Sequence, residues 1–210
     1  MASITELEAL VAARGETLGG GHPDTLTAML DLAELLWAEG RLARARELEE
    51  EVVVGRTALY GEAHPDRLKA LGKLAVTIGQ QGDLAGARLR QEQVVAGMRA
   101  LHGDEDRDTL RAINNLAGTV AAMGDAFAAR AMLQETIATL VRVFGEDDGD
   151  TLTSLGNLAA LLWQCGERDE AVALQDQLVE ALRRTRGADG KVTQNAEAVL
   201  ETMLRDGWLS

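Results

Sequence analysis

The sequence predicts an all-α protein, an α-solenoid of stacked antiparallel helix pairs. Three observations predict it. Four segments align without a gap at intervals of 42 residues, GGGHPDTLTAMLDLAELLWAEGRLARA from Gly19, GEAHPDRLKALGKLAVTIGQQGDLAGA from Gly61, GDEDRDTLRAINNLAGTVAAMGDAFAA from Gly103 and GEDDGDTLTSLGNLAALLWQCGERDEA from Gly145. Such a period marks supersecondary units that bury their apolar faces against their neighbours. Each unit also has a glycine in its middle, Gly40, Gly82, Gly124 and Gly166, where the left-handed cap of a helix is tolerated. Finally, alanine, leucine and arginine are abundant, β-branched runs are rare, and neither of the 2 prolines lies far inside a helical pattern.

Taken in order, residues 1–18 end in LVAARGETL, which aligns with VVVGRTALY late in the first unit. They are expected to form a leading half repeat, a helix B without its helix A. Four repeats follow at 19–60, 61–102, 103–144 and 145–186. In the first, helix A is expected over 23–39 and helix B over 42–59, and adding 42 gives the others. A fifth start at Gly187 opens a C-terminal capping segment, 187–210, with one helix over 192–206 closed by Gly207. Its Glu197, Glu201 and Asp206 give it the polar face that a solubilising cap needs. The whole of 1–210 reads as one array. Within it Leu32-Ala33, Leu74-Ala75, Leu116-Ala117 and Leu158-Ala159 recur, as do Ala45, Ala87, Ala129 and Ala171. Leucines at helical spacing supply the buried stripe, and small alanines let helices approach closely.

His22-Pro23-Asp24 and His64-Pro65-Asp66 occupy one repeat position. Chaperone J-domains carry such a tripeptide in a loop, but here units three and four replace it with Asp106-Arg107-Asp108 and Asp148-Gly149-Asp150. The aspartate persists and the histidine does not. Proline in a first helical turn loses no hydrogen bond, and an acid there favours the helix dipole. The tripeptide is a helix-start device.

These units resemble tetratricopeptide repeats (TPRs), in the 42-residue form of kinesin light chains and many bacterial repeat proteins. The resemblance covers residues 19–186 and implies a right-handed superhelix with helices A lining a concave, peptide-binding groove. The family often has an aromatic two residues after the mid-unit glycine. Here Leu42, Leu84, Ala126 and Arg168 stand there, with Phe127 a candidate substitute in unit three. An arginine-to-lysine ratio of 18 to 3 fits a GC-rich bacterial source.

Composition excludes several functions. A net charge of −13 disfavours nucleic acid and anionic membranes as partners. The first twenty residues are not a signal peptide, no run approaches a membrane span, and a cytoplasmic location is expected. The single cysteine, Cys165, has no histidine nearby and is expected to be a small filler at a helix end. Met29, Met123, Met132 and Met203 read as core fillers, and His22, His64 and His102 lack metal-ligand spacing. GEDDGD is not a phosphate loop. No catalytic residue, metal or cofactor is expected, and the chain is not expected to be an enzyme.

The resemblance places the candidate peptide-binding residues on helices A. Counting back thirteen from each mid-unit glycine gives Thr27, Lys69, Arg111 and Thr153, and counting back nine gives Asp31, Lys73, Asn115 and Asn157. The two rows differ by four and so share a helical face. Trp37 and Trp163 stand three before the glycine, as groove anchors or as core, and Asn114 lies on the same side. So do Gly72, Gly118 and Gly156, and these with Gly79 mark either a low groove floor or close helix packing. Residues 61–102 hold six basic and four acidic residues against the acidic background, and they include Lys69 and Lys73. With Arg111, Asn115 and Asn157 these form a basic-then-amide path suited to an acidic or carboxylate-bearing peptide. It resembles the carboxylate groove of chaperone-adaptor TPRs only in part, because the third basic turn, near Asn195 and Val199, is missing.

The reading is a non-enzymatic scaffold that binds a peptide segment or partner protein in its concave groove. The alternative is a self-associating structural or regulatory protein, a homodimer through its terminal helices, with the leading half repeat or the Trp208-Leu209 tail as interface.

Overall fold

The computed structural model describes residues 3–207, and their side chains as far as residue 205. It contains two compact units, Met1–Gly103 and Asp104–Ser210. The first holds α1 (Ile4–Leu18), α2 (Pro23–Ala38), α3 (Leu42–Tyr60), α4 (Pro65–Gln80) and α5 (Leu84–His102). The second holds α6 (Arg107–Ala122), α7 (Ala126–Phe144), α8 (Gly149–Gln164), α9 (Arg168–Arg186) and α10 (Lys191–Gly207). No strand occurs among the described residues. Within each unit every helix packs on the next, and in the second α6 also touches α8.

The helices keep the expected period, with one systematic offset. Each helix A ends one residue early, at Ala38, Gln80, Ala122 and Gln164, and each helix B runs one further, to Tyr60, His102, Phe144 and Arg186. Glycine explains the regularity. Nine glycines from Gly19 to Gly187 have positive φ and recur every 21 residues, so each opening glycine ends a helix B just as each mid-unit glycine ends a helix A.

The starts of the four helices A are capped by side chains. His22 and His64 accept the N–H of Asp24 and Asp66 on Nδ1, each at 3.2 Å, and Pro23 and Pro65 open the helices behind them. Asp106 and Asp148 do the same work at α6 and α8. The tripeptide is therefore structural, and its histidine is itself the cap.

The recurring Leu-Ala pairs and the later alanines are all buried. Leu32, Ala33, Leu36, Ala45 and Leu48 form one cluster, against which Ile4, Leu7 and Val11 of the leading helix pack. α1 has no fully buried residue of its own. In α10, Glu197 pairs with Arg183 at 2.7 Å and Glu201 is exposed. The side chain of Asp206 and the Trp208-Leu209 tail lie outside the described residues.

Three expectations need correction. Phe127 is 87% exposed and fills no aromatic position in unit three. It follows Ala126 in the first turn of α7 and is not among the buried residues of that helix. Met123 is 43% exposed, because it is the C-cap residue of α6 rather than part of its buried stripe. Cys165 holds the same place in α8 and is likewise exposed, so it fills nothing. No described helix is long and apolar enough to cross a membrane.

Candidate functional site

The second unit holds most of the predicted polar residues, in the first three turns of α6 and α8. Repetition aligns the two helices, so a side chain near the start of α6 meets one about a repeat later. Arg107 bonds Asp148 through both terminal nitrogens at 3.0 Å, reaches Asp150 as well, and lies 4.2 Å above the centre of the Phe144 ring. One turn on, Arg111 Nε donates to Asp150 at 2.7 Å. The bonds from Arg107 outweigh partial burial and hold the Asp148 carboxyl below the usual carboxylate range.

Beyond these pairs lies a cavity of about 180 Å³. Arg111, Asn114, Asn115 and Thr153 line it, together with Asp150 and Ser154. Four of the predicted residues thus meet at one place. Arg111, Asn115 and Thr153 are exposed at its mouth. Asn114 is 8% exposed, and its Oδ1 is buried without a hydrogen-bond partner among the described residues. An unmet buried acceptor is costly, and a ligand N–H would satisfy it. The Thr153 hydroxyl donates to Gly149 O of its own helix at 2.8 Å. Asn157 and Trp163 sit further along α8 and do not line this cavity. Asn157 is exposed, whereas Trp163 is half-buried with the Arg168 guanidinium 3.7 Å above its ring. The residue that departs from the family's aromatic thus supplies a cation–π cover.

The first unit holds the other three predicted residues. Lys73 on α4 pairs with Glu34 on α2 at 2.6 Å, both well exposed. Lys69 is exposed one turn earlier, and Trp37 on α2 is 39% exposed. The helical glycines divide by environment. A Cβ on Gly79 would touch Ala87 at 3.4 Å and one on Gly156 would press Leu178 at 3.3 Å, so both serve helix packing. A Cβ on Gly118 would meet nothing within 4 Å.

Sequence reasoning missed Asp150 and Arg107, having assigned the first-turn acids to the helix dipole alone. The available signal was a cation and an acid about one repeat apart, both in first turns. No group of three or more metal-ligating side chains occurs among the described residues.

Family models of the tetratricopeptide repeat match residues 25–66 and 67–108, and a further one matches 108–184. The chain belongs to the tetratricopeptide repeat family. The TPR chain is similar to solved structures of the same kind. A candidate kinesin light chain of Podosopora anserina, with nearly identical TPR-like repeats, is 28% identical over 87% of each chain, with a TM-score of 0.69. BtubC (BKLC) of P. vanneervenii aligns over 98% of this chain and 86% of its own at 18% identity and a TM-score of 0.74. YrrB, a TPR protein with an unusual peptide-binding site, aligns over 96% and 98% at 14% identity and a TM-score of 0.51. The last two likenesses concern the fold alone. No protein of curated function matches the sequence. The TPR fold is consistent with a role in protein–protein interaction.

Proposed function

We propose that this TPR chain is a non-enzymatic scaffold that holds an extended peptide segment of a partner protein along its helices A. The observation that carries the reading is Asn114, whose buried Oδ1 lacks a donor beside a cavity bordered by Arg111, Asn115 and Thr153. A peptide main chain supplies N–H donors at regular spacing, and the exposed Asn115 and Asn157 amides offer both donors and acceptors to it. In the first unit Lys69, Lys73 and Trp37 are the corresponding contacts, and Trp163 flanks the far end of α8. The repeats at 19–60, 61–102, 103–144 and 145–186 work together as one array in this reading.

A preference for acidic or carboxylate-bearing segments rests chiefly on Lys73. Its exposed pair with Glu34 is weak enough to exchange for a ligand carboxylate. Arg111 contributes less, being held by Asp150 at 15% side-chain exposure.

The test is a peptide array probed with wild type, Asn114→Leu and Lys69→Glu/Lys73→Glu, each first checked for native helicity. Asn114→Leu should weaken the selected peptides at least tenfold. The lysine variant should remove the salt dependence and the bias toward acidic sequences. Unchanged binding in both variants would overturn the proposal.

A further inference from the structure

The first unit has a concavity of its own, which Lys69, Lys73 and Trp37 do not line. It is a groove of about 560 Å³ against α2 and α3. Its apolar surface comes from Leu26, Met29 and Val54, and its acidic edge from Glu47, Glu50 and Glu51. Glu47, Glu50, Glu51 and Val54 stand at i, i+3, i+4 and i+7 of α3, which places them on one stripe. Val54 is 69% exposed, a large apolar side chain left in water.

Three features mark the groove as more than a consequence of the fold. Most of the stripe is lost in the next repeat, where Glu92 keeps the place of Glu50 but Leu89, Gln93 and Ala96 replace Glu47, Glu51 and Val54, although α4 packs on α5 as α2 does on α3. Gly20 and Gly21 border the groove, yet neither has positive φ and a Cβ on either would meet nothing within 4 Å. Neither backbone conformation nor packing requires glycine there, and its effect is to keep the mouth open. The acids are also available. Among the described residues Glu47 engages the exposed Arg44 and Glu50 the half-buried Arg46, both of their own helix, and Glu51 has no ion pair. Intrahelical pairs of this kind exchange readily.

We infer that this groove docks a basic amphipathic helix of a partner protein. Apolar residues on one face of that helix would cover Val54 and Met29. Lysines or arginines flanking them would pair with Glu47, Glu50 and Glu51, joining hydrophobic burial to charge complementarity.

The probe is a fluorescein-labelled leucine–lysine peptide with an i, i+3, i+4 leucine face, titrated by anisotropy against the full chain. An all-lysine peptide of equal charge controls for simple attraction to an acidic protein. The leucine–lysine peptide should bind saturably, and the all-lysine peptide at least tenfold more weakly. Glu47→Lys/Glu51→Lys and Val54→Asp should each weaken binding at least tenfold. The charge-matched control Glu135→Lys/Glu201→Lys, and Asn114→Leu, should stay within twofold of wild type. Equal binding of the two peptides, full binding by the groove variants, or no saturable binding would overturn the inference.

Discussion

Arg107 grips Asp148 with both terminal nitrogens at 3.0 Å, although 41 residues separate them. The pair ties the first turn of one helix A to the start of the next, and the ring of Phe144 lies beneath the guanidinium.

Replacing Arg107 with Gln should lower the thermal midpoint and flatten the acid limb of stability. Arg107 depresses the folded-state pKa of Asp148, so the stability this pair gives is present above the ordinary carboxylate range. It is lost as pH falls through the depressed folded value. Urea midpoints of wild type and variant should therefore stay apart above about pH 5 and converge as pH falls below it. A gap that stays constant with pH would assign the effect to packing on Phe144 instead.

Glu49 has the opposite sign. It is 3% exposed with Oε2 unpartnered, and burial raises its carboxyl against the opposing influence of Thr77 and Lys73. A raised carboxyl favours the folded state most below its unfolded value, and this contribution is lost as pH rises through the folded one. Glutamine stands at two of the three equivalent places, Gln91 and Gln175, with Leu133 at the other, and Gln175 donates to Ala196 O at 2.9 Å. Glu49→Gln should stabilise the protein at neutral pH by about 1 kcal/mol and steepen no acid transition. A lower urea midpoint at neutral pH would show that the charge itself is needed.

The histidine caps are testable in pairs. His22→Ala and His64→Ala should each cost about 1 kcal/mol, because Nδ1 accepts the N–H two residues on. His22→Asp and His64→Asp should recover most of the loss at position 22 and less at 64, where the imidazole also stacks on Tyr60 at 4.3 Å. Denaturant midpoints for the four variants decide it. Full recovery at both positions would mean the stacking contributes nothing.

Glycines inside helices should respond in opposite directions. A Cβ on Gly97 would come within 2.6 Å of buried Leu68, so Gly97→Ala should destabilise by about 1–3 kcal/mol through overpacking. Gly118 has open space around it, and Gly118→Ala should gain about 1 kcal/mol from helix propensity. Calorimetry on both variants separates the cases, and a loss at Gly118 would point to a backbone role there.

The repeat, the helix bounds and the buried Leu-Ala and alanine anchors were legible in the sequence alone. They are set by local chemistry repeated every 42 residues: cap, stripe and left-handed glycine. Periodicity also placed Arg111, Asn114, Asn115 and Thr153 on neighbouring turns that do meet at one cavity. Pairing was not legible. Whether Lys73 meets Glu34, or Arg107 meets Asp148 and Asp150, depends on how side chains from helices a repeat apart reach across the packing between them. The same holds for solvent exposure just beyond a helix end. Phe127 and Met123 look like core residues by type, and only the placement of α6 and α7 turns them to water. Asn114 shows both limits: its position follows from counting, but its burial without a donor exists only once α6, α7 and α8 are packed together.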